Sequence, residues 1–308
     1  MPDYGAVRFL NVESKNGGDY TPENHTWASQ TIAHNTVTVD EQSDFNGKIK
    51  TSSAFHSDIN YFNCKDSVIQ VTSGVERNAY EGVILNRTTA MIHNKAFDYP
   101  VILDIFKVCS NSTHNLDFPF YYYGQLVMTD IIYQKNTKEL KALGTTNGYQ
   151  HLWLEATGKT DKSNTCFTWL DGNRFYSLTT LANANTQFLM TRIGAGDPNF
   201  NLRNDPCFMI REPNAGNHTF VSVIEPHGLY DLTTEVTSGF NSNIASVKLL
   251  TDNDKFTAVQ VETKNKGSYL FITTNNDFGE TKERKLQIDG KIISFTGNFY
   301  FSKYDNLK

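Results

Sequence analysis

The sequence is poor in the features that mark several functional classes. It has four cysteines in 308 residues, Cys64, Cys109, Cys166 and Cys207, and no CxxC pair among them. Zinc-ribbon and thioredoxin-like readings therefore fall away. The four read as free thiols, buried or half-buried, with one disulfide open to them in an oxidising compartment. No basic run is longer than "KERK" at 282–285, and the formal net charge is −5. A chain without clustered Lys and Arg is not built to neutralise a phosphate backbone, so no nucleic-acid partner is expected. No window approaches the roughly eighteen consecutive apolar residues of a membrane span. "MPDYGAVRFL" lacks a charged stretch followed by an apolar one, so no signal peptide is expected in this chain. Apolar residues at helical spacing are scarce, and no helix longer than about three turns is expected.

What is present reads as β structure. Runs rich in Val, Ile, Thr, Tyr and Phe recur between Gly/Asn/Asp clusters: "SVIQVTSG", "YPVILDIFKVCS", "FYYYGQLVMTDIIY", "HTFVSVIEPHG", "FTAVQVET" and "SYLFITTNN". "KLQIDGKIISF" sets Asp289-Gly290 between two alternating runs, the residues a type I′ hairpin turn favours, and "SFTGNFYFS" offers a second tight turn at Gly297-Asn298. Hydrophobic residues make up 39% of the chain, enough for a large core. Many short antiparallel strands with one apolar face each must pair their faces. The expected fold is therefore all-β: a large antiparallel two-sheet β-sandwich followed by a smaller β-sheet tail. We divide the chain into residues 1–235 and 236–308, with the strand-rich tail running from about residue 244.

The chemically richest stretch is "GGDYTPENHTWASQTIAHNTVTVD", residues 17–40. Alternation in "HNTVTVD" puts Val37 and Val39 on one face and His34, Thr36, Thr38 and Asp40 on the other. On that pattern His34 belongs to a polar strand face, where most histidines are hydrogen-bonded or solvent-facing. His25 reads as a surface residue, and Arg87, His114 and His227 as structural hydrogen-bonding groups. "GYQHLW" (148–153) and Trp169 offer either aromatic faces for sugar stacking or core packing.

"PDYGAVRFLN" together with "GGDYTPENHTWASQTIAHNTVTVDEQSDF" resembles the start of the C-terminal β-domain of the heparinase II/III-like polysaccharide lyases, and most closely the oligoalginate lyases of polysaccharide lyase family 17. "LKALGTTNGYQHLW", "CFTWLDGNRFYSLTT" and "FVSVIEPHGLYDLTTE" are similar to the same family. The resemblance implies an N-terminal α/α toroid that is missing from this chain, and cleavage of uronate polysaccharides or oligosaccharides by β-elimination. It implies a structural zinc site to which Asp3 and His34 contribute two ligands, the rest lying upstream, and a catalytic role for Tyr20. Periplasmic or secreted work on alginate-type oligomers goes with it, and so does an incomplete zinc site and little activity in this chain alone. The alternative is a non-catalytic carbohydrate-binding or structural β-module.

Overall fold

The computed structural model describes residues 2–5, 21–194 and 202–304. Among them strands dominate, and every helical piece is five residues or shorter, Asn24–Ala28 being the longest. The apolar runs picked out by sequence become strands such as Ile69–Tyr80, Val101–Ser110, His218–His227, Phe256–Thr263 and Gly267–Thr274.

Two antiparallel sheets form the body. The eight-stranded sheet runs, in spatial order, through Asp58–Asn63, Ile69–Tyr80, Val83–Ile92, Val101–Ser110, His218–His227, Arg174–Leu181, Asn164–Asp171 and Gln125–Thr129. The seven-stranded sheet is built on His114–Tyr121, Pro206–Ala215, Gln187–Ile193 and Leu152–Lys159, flanked by short strands. Strands in alternate register send one set of side chains inward. Val83, Leu85, Phe106, Val108, Phe167 and Leu178 of one sheet thus meet Leu116, Phe118, Phe120, Phe188, Phe208 and Ile210 of the other in one buried cluster. Phe167 stacks on Phe208 with ring centroids 4.1 Å apart, a cross-sheet aromatic contact that adds specificity to the burial.

Each sheet also buries part of its outer face. The eight-stranded sheet lays Val71, Ala90, Leu103, Val221 and Val223 against Val247, Val259, Val261 and Phe271 of a four-stranded sheet. That sheet starts at Ile244 and buries its far face under the hairpin Glu283–Ile288/Lys291–Thr296. Asp289 (φ 50°) and Gly290 (φ 79°) close this hairpin with the two left-handed residues a type I′ turn needs. The chain also turns at Gly297 (φ 101°), but the next strand, Phe299–Lys303, leaves its neighbour and pairs with Gly267–Thr274 in the four-stranded sheet. The expected division at 235/236 falls in the turn of a small hairpin, Leu229–Asp231/Val236–Ser238.

The outer face of the seven-stranded sheet is covered by the segment that positions the candidate site. Tyr4, Trp27, Ile32 and Ala33 pack there on Tyr121, Tyr149, Leu152, Ile193 and Met209. The strand expected over "HNTVTVD" shrinks to Thr38–Val39, and both residues are buried. The alternation fails because Thr38 turns its hydroxyl to the buried Tyr149 phenol (2.7 Å) instead of to solvent. His34 is accordingly not a strand residue: it follows the 3₁₀ turn Thr31–Ala33 in a bend.

Candidate functional site

Pro22 opens the turn that leads to the site, where the backbone N–H groups of His25 and Thr26 both donate to its carbonyl. Trp27, fully buried, then anchors the segment edge-on between Tyr4 (5.8 Å) and Tyr121 (6.0 Å). The Tyr121 hydroxyl donates to the Ile32 carbonyl (2.5 Å), and Thr31 is tied to Asp44 by its hydroxyl (2.8 Å). On the other side the 144–151 turn presses close. A Cβ at Gly148 (φ 88°) would sit 2.5 Å from the Ile32 methyl, so both the conformation and the approach require glycine.

These supports deliver His34 to a corner where its Nδ1 lies 2.6 Å from Asp3 Oδ1 and its Nε2 lies 3.1 Å from the Ala28 carbonyl. The carbonyl can only accept, so Nε2 carries a proton and Nδ1 is the nitrogen presented to Asp3. An imidazole lone pair and a carboxylate this close require a proton or a cation between them. That donor set fits zinc: a carboxylate oxygen, an imidazole nitrogen, and a remote ring N–H fixed on a backbone carbonyl as metal-bound histidines usually are. The corner is accessible, with 35% of the His34 and 63% of the Asp3 side chain exposed. Among the described residues no cluster of three or more His, Cys, Asp or Glu could hold a metal, so Asp3 and His34 would supply half of a tetrahedral shell. The structure thus brings together two of the three residues singled out by sequence. The third, Tyr20, lies outside the described residues.

The other candidates resolve into structure. Arg87 grips the buried Asp104 with two bonds (2.8 and 2.7 Å) and lies over the rings of Phe106 and Phe118. His114 bridges Asp40 (2.7 Å) and Ser110 (3.0 Å). His227 is buried between the Ser177 hydroxyl and the Gly239 carbonyl, both at 2.8 Å. His25 is exposed. Trp169 and Tyr149 are core residues without a free face for a sugar, while Trp153 is half-buried. All four cysteines are free: Cys64 exposed, Cys109 and Cys166 half-buried, Cys207 buried. Burial pushes the Cys207 thiol up to about 12, which leaves it inert.

Two arrangements near the corner had no sequence signal. Arg211 holds the buried Asp117 by two bonds (2.6 and 2.7 Å) and reaches Glu41 (2.7 Å), while the Tyr149 hydroxyl donates to the same Asp117 (2.6 Å). Burial first, and then the Asp117 charge, push the Tyr149 phenol well above its ordinary value. A cleft of about 380 Å³ opens beside Thr36, with Val37, Tyr80, Arg87 and Phe106 among its walls. Asn35, next to His34, bonds to Pro2, Arg87 and Tyr121, partners scattered over the sequence.

A family model described as heparinase II/III-like, C-terminal, matches residues 1–211. The chain belongs to the heparinase II/III-like family. Relatives in this family include an exo-oligoalginate lyase of Saccharophagus degradans, 37% identical over 96% of this chain, and an alginate lyase of Stenotrophomonas maltophilia, 37% identical over 97% of it. This chain spans only 40% of the length of either relative. Among solved structures, a heparinase III with methylated lysines superposes with a TM-score of 0.54 at 11% identity, covering 97% of this chain and 33% of that one. A mutant heparan sulfate lyase from Pedobacter heparinus superposes with a TM-score of 0.54 at 16% identity, covering 91% of this chain and 35% of that one. At such identities the likeness speaks for the fold, and it agrees with the β-sandwich and β tail read from the sequence.

Proposed function

We propose that this heparinase II/III-like chain is the C-terminal β portion of a polysaccharide lyase that cleaves uronate oligosaccharides, of the alginate type, by β-elimination. The observation that carries the reading is the 37% identity, along nearly the whole chain, to two relatives named for alginate. The neighbours named for heparin and heparan sulfate share the fold at far lower identity.

Elimination removes the proton on C5 of a 4-linked uronate, forms the C4–C5 double bond and expels the C4 oxygen, which takes up a proton. No water is consumed. The C5 proton becomes acidic once the neighbouring carboxylate is neutralised by hydrogen-bond donors or positive charge. In this reading Tyr20 meets the substrate and moves a proton between C5 and the leaving oxygen, which needs a phenol brought below its usual value of about 10. Asp3 and His34 would hold zinc, which would supply the positive charge between them. Their own part is positional: His34, with Nε2 fixed on the Ala28 carbonyl, presents Nδ1 to the Asp3 carboxylate. The division into units 1–235 and 236–308 and work in the periplasm or outside the cell belong to the same proposal.

The test is a fusion. The 308-residue chain is assayed alone and joined to the part of the Saccharophagus relative outside the matched stretch, on alginate oligomers, by the ultraviolet absorbance of the unsaturated uronate. The reading expects signal from the joined protein and little from the chain alone. Binding of alginate oligomers without any elimination in the joined protein would favour a carbohydrate-binding module instead.

A further inference from the structure

The Asp3–His34 contact joins residues 31 positions apart, and its carboxylate is mostly in solvent. An exposed pair of this kind contributes too little to order a chain segment by itself. Something else must hold Asp3 at 2.6 Å from the imidazole, and the bonds on either side show what.

We infer that Asn35 is the positioning residue of the Asp3–His34 pair: its side chain fixes the backbone next to Asp3 while its own backbone is clamped by Arg87, itself held by the buried Asp104. Its Nδ2 donates to the Pro2 carbonyl (2.7 Å), and its Oδ1 accepts from the Tyr121 backbone N–H (2.9 Å). Its carbonyl accepts from Arg87 Nη1 (2.8 Å). Arg87 is immobilised by Asp104, whose side chain is 2% exposed, from the eight-stranded sheet, whereas Tyr121 belongs to the seven-stranded one. Asn35 is therefore pinned to both sheets at once, and through Nδ2 it carries that rigidity to Pro2. On the far side of Asp3, Tyr4 is buried edge-on against Trp27, lies under the Arg203 guanidinium (4.2 Å) and accepts the Arg203 backbone N–H at its hydroxyl (2.9 Å). Asp3 is thus held between two anchored neighbours. Pro2 faces Asn35 and Asp3 faces His34, so the two consecutive contacts fix both position and direction of the carboxylate.

The inference rests on the reading of Asp3 and His34 as zinc ligands, and the experiment separates the two. Zinc dissociation constants are measured by chelator competition on the joined protein and on its Asn35→Asp, Asp3→Ala and His34→Ala variants, together with Tm and amide hydrogen exchange. Asn35→Asp keeps the acceptor for Tyr121 but turns the Pro2 contact into a repulsion between two oxygens. We expect its zinc dissociation constant to rise by about tenfold or more, in the range for residues that orient ligands. Exchange should quicken at residues 3–5 while Tm stays within about 4 °C. Zinc affinity unchanged in Asn35→Asp but lost in Asp3→Ala and His34→Ala would overturn the inference and leave the zinc reading standing. Unchanged affinity in Asp3→Ala and His34→Ala would overturn the zinc reading, and the inference with it. A larger fall in Tm, with exchange rising throughout the sandwich, would make Asn35 a general scaffold residue and overturn the inference too.

Discussion

Two polar clusters lie against the same sheet and use similar side chains to opposite ends. In the Asp117 cluster both carboxylate oxygens are taken by Arg211, Tyr149 adds a third donor, and the side chain is 2% exposed. Burial keeps any ligand from reaching it. At the other corner Asp3 and His34 face each other with most of the carboxylate in water. A buried network closed around an ion pair specifies structure, because removing either ion strands the other's charge. An exposed pair that needs a positive charge between its members, held by neighbours and not by its own strength, is disposed to bind something. Residue type alone does not separate a functional site from a structural one; the number of unspent lone pairs and the exposure do.

The comparison breaks most visibly at Arg211. Arg211→Met should leave Asp117 charged and buried without its cation, at a cost of about 3–5 kcal/mol, read as a large fall in Tm or in the denaturant midpoint. Zinc binding by the fraction that stays folded should be unaltered. Next come the two tyrosines. In the joined protein, Tyr20→Phe should lower the rate on alginate oligomers by about 10²-fold with Tm unchanged, the range for a general acid–base group. Tyr149→Phe should leave that rate intact and cost about 1 kcal/mol of stability, since Arg211 still satisfies Asp117. If Tyr20→Phe retained most of the activity, the catalytic role given to Tyr20 would be wrong. His34→Ala should cost under ~1 kcal/mol in the metal-free chain, because the pair is exposed, and should lower Tm and activity further only when zinc is supplied.

The smallest effect concerns acid. Burial alone would raise the Asp130 carboxyl, but Thr165, the Cys166 N–H and Lys162 together hold it below its ordinary 3.8. A folded-state value below the unfolded one gives stability that is present above about pH 4 and lost as pH falls through the folded value. Asp130→Asn should therefore flatten the acid limb of a Tm–pH profile by a fraction of ~1 kcal/mol, since 36% of this side chain is exposed and screened. A zinc-loaded and a zinc-free sample should show the same flattening, because Asp130 has no part in the Asp3–His34 corner.

The fold was legible where period and turn chemistry agree. Asp289-Gly290 closes its hairpin as expected, and long β-branched runs became central strands of the eight-stranded and four-stranded sheets. "HNTVTVD" misled because a tertiary partner overrode its period: Thr38 is buried by its bond to Tyr149, a residue 111 positions away. The Gly297-Asn298 turn was legible, but its change of sheet was not, because turn residues encode a reversal and not the next partner. Asp3 and His34 came from the resemblance, as neither residue means much alone. Asn35 and the Asp117–Arg211 pair carried no signal, because their meaning lies in partners brought together only by the sandwich.

The most direct test of the account is the zinc content of the 308-residue chain and of the joined protein after equilibrium dialysis against zinc, each with and without His34→Ala. With only Asp3 and His34 as donors among the described residues, the chain alone should retain well under one zinc. The joined protein should approach one, and His34→Ala should empty both. One tightly held zinc per chain in the 308-residue protein and in its His34→Ala variant alike would contradict the account, since the metal would then sit somewhere other than the Asp3–His34 corner.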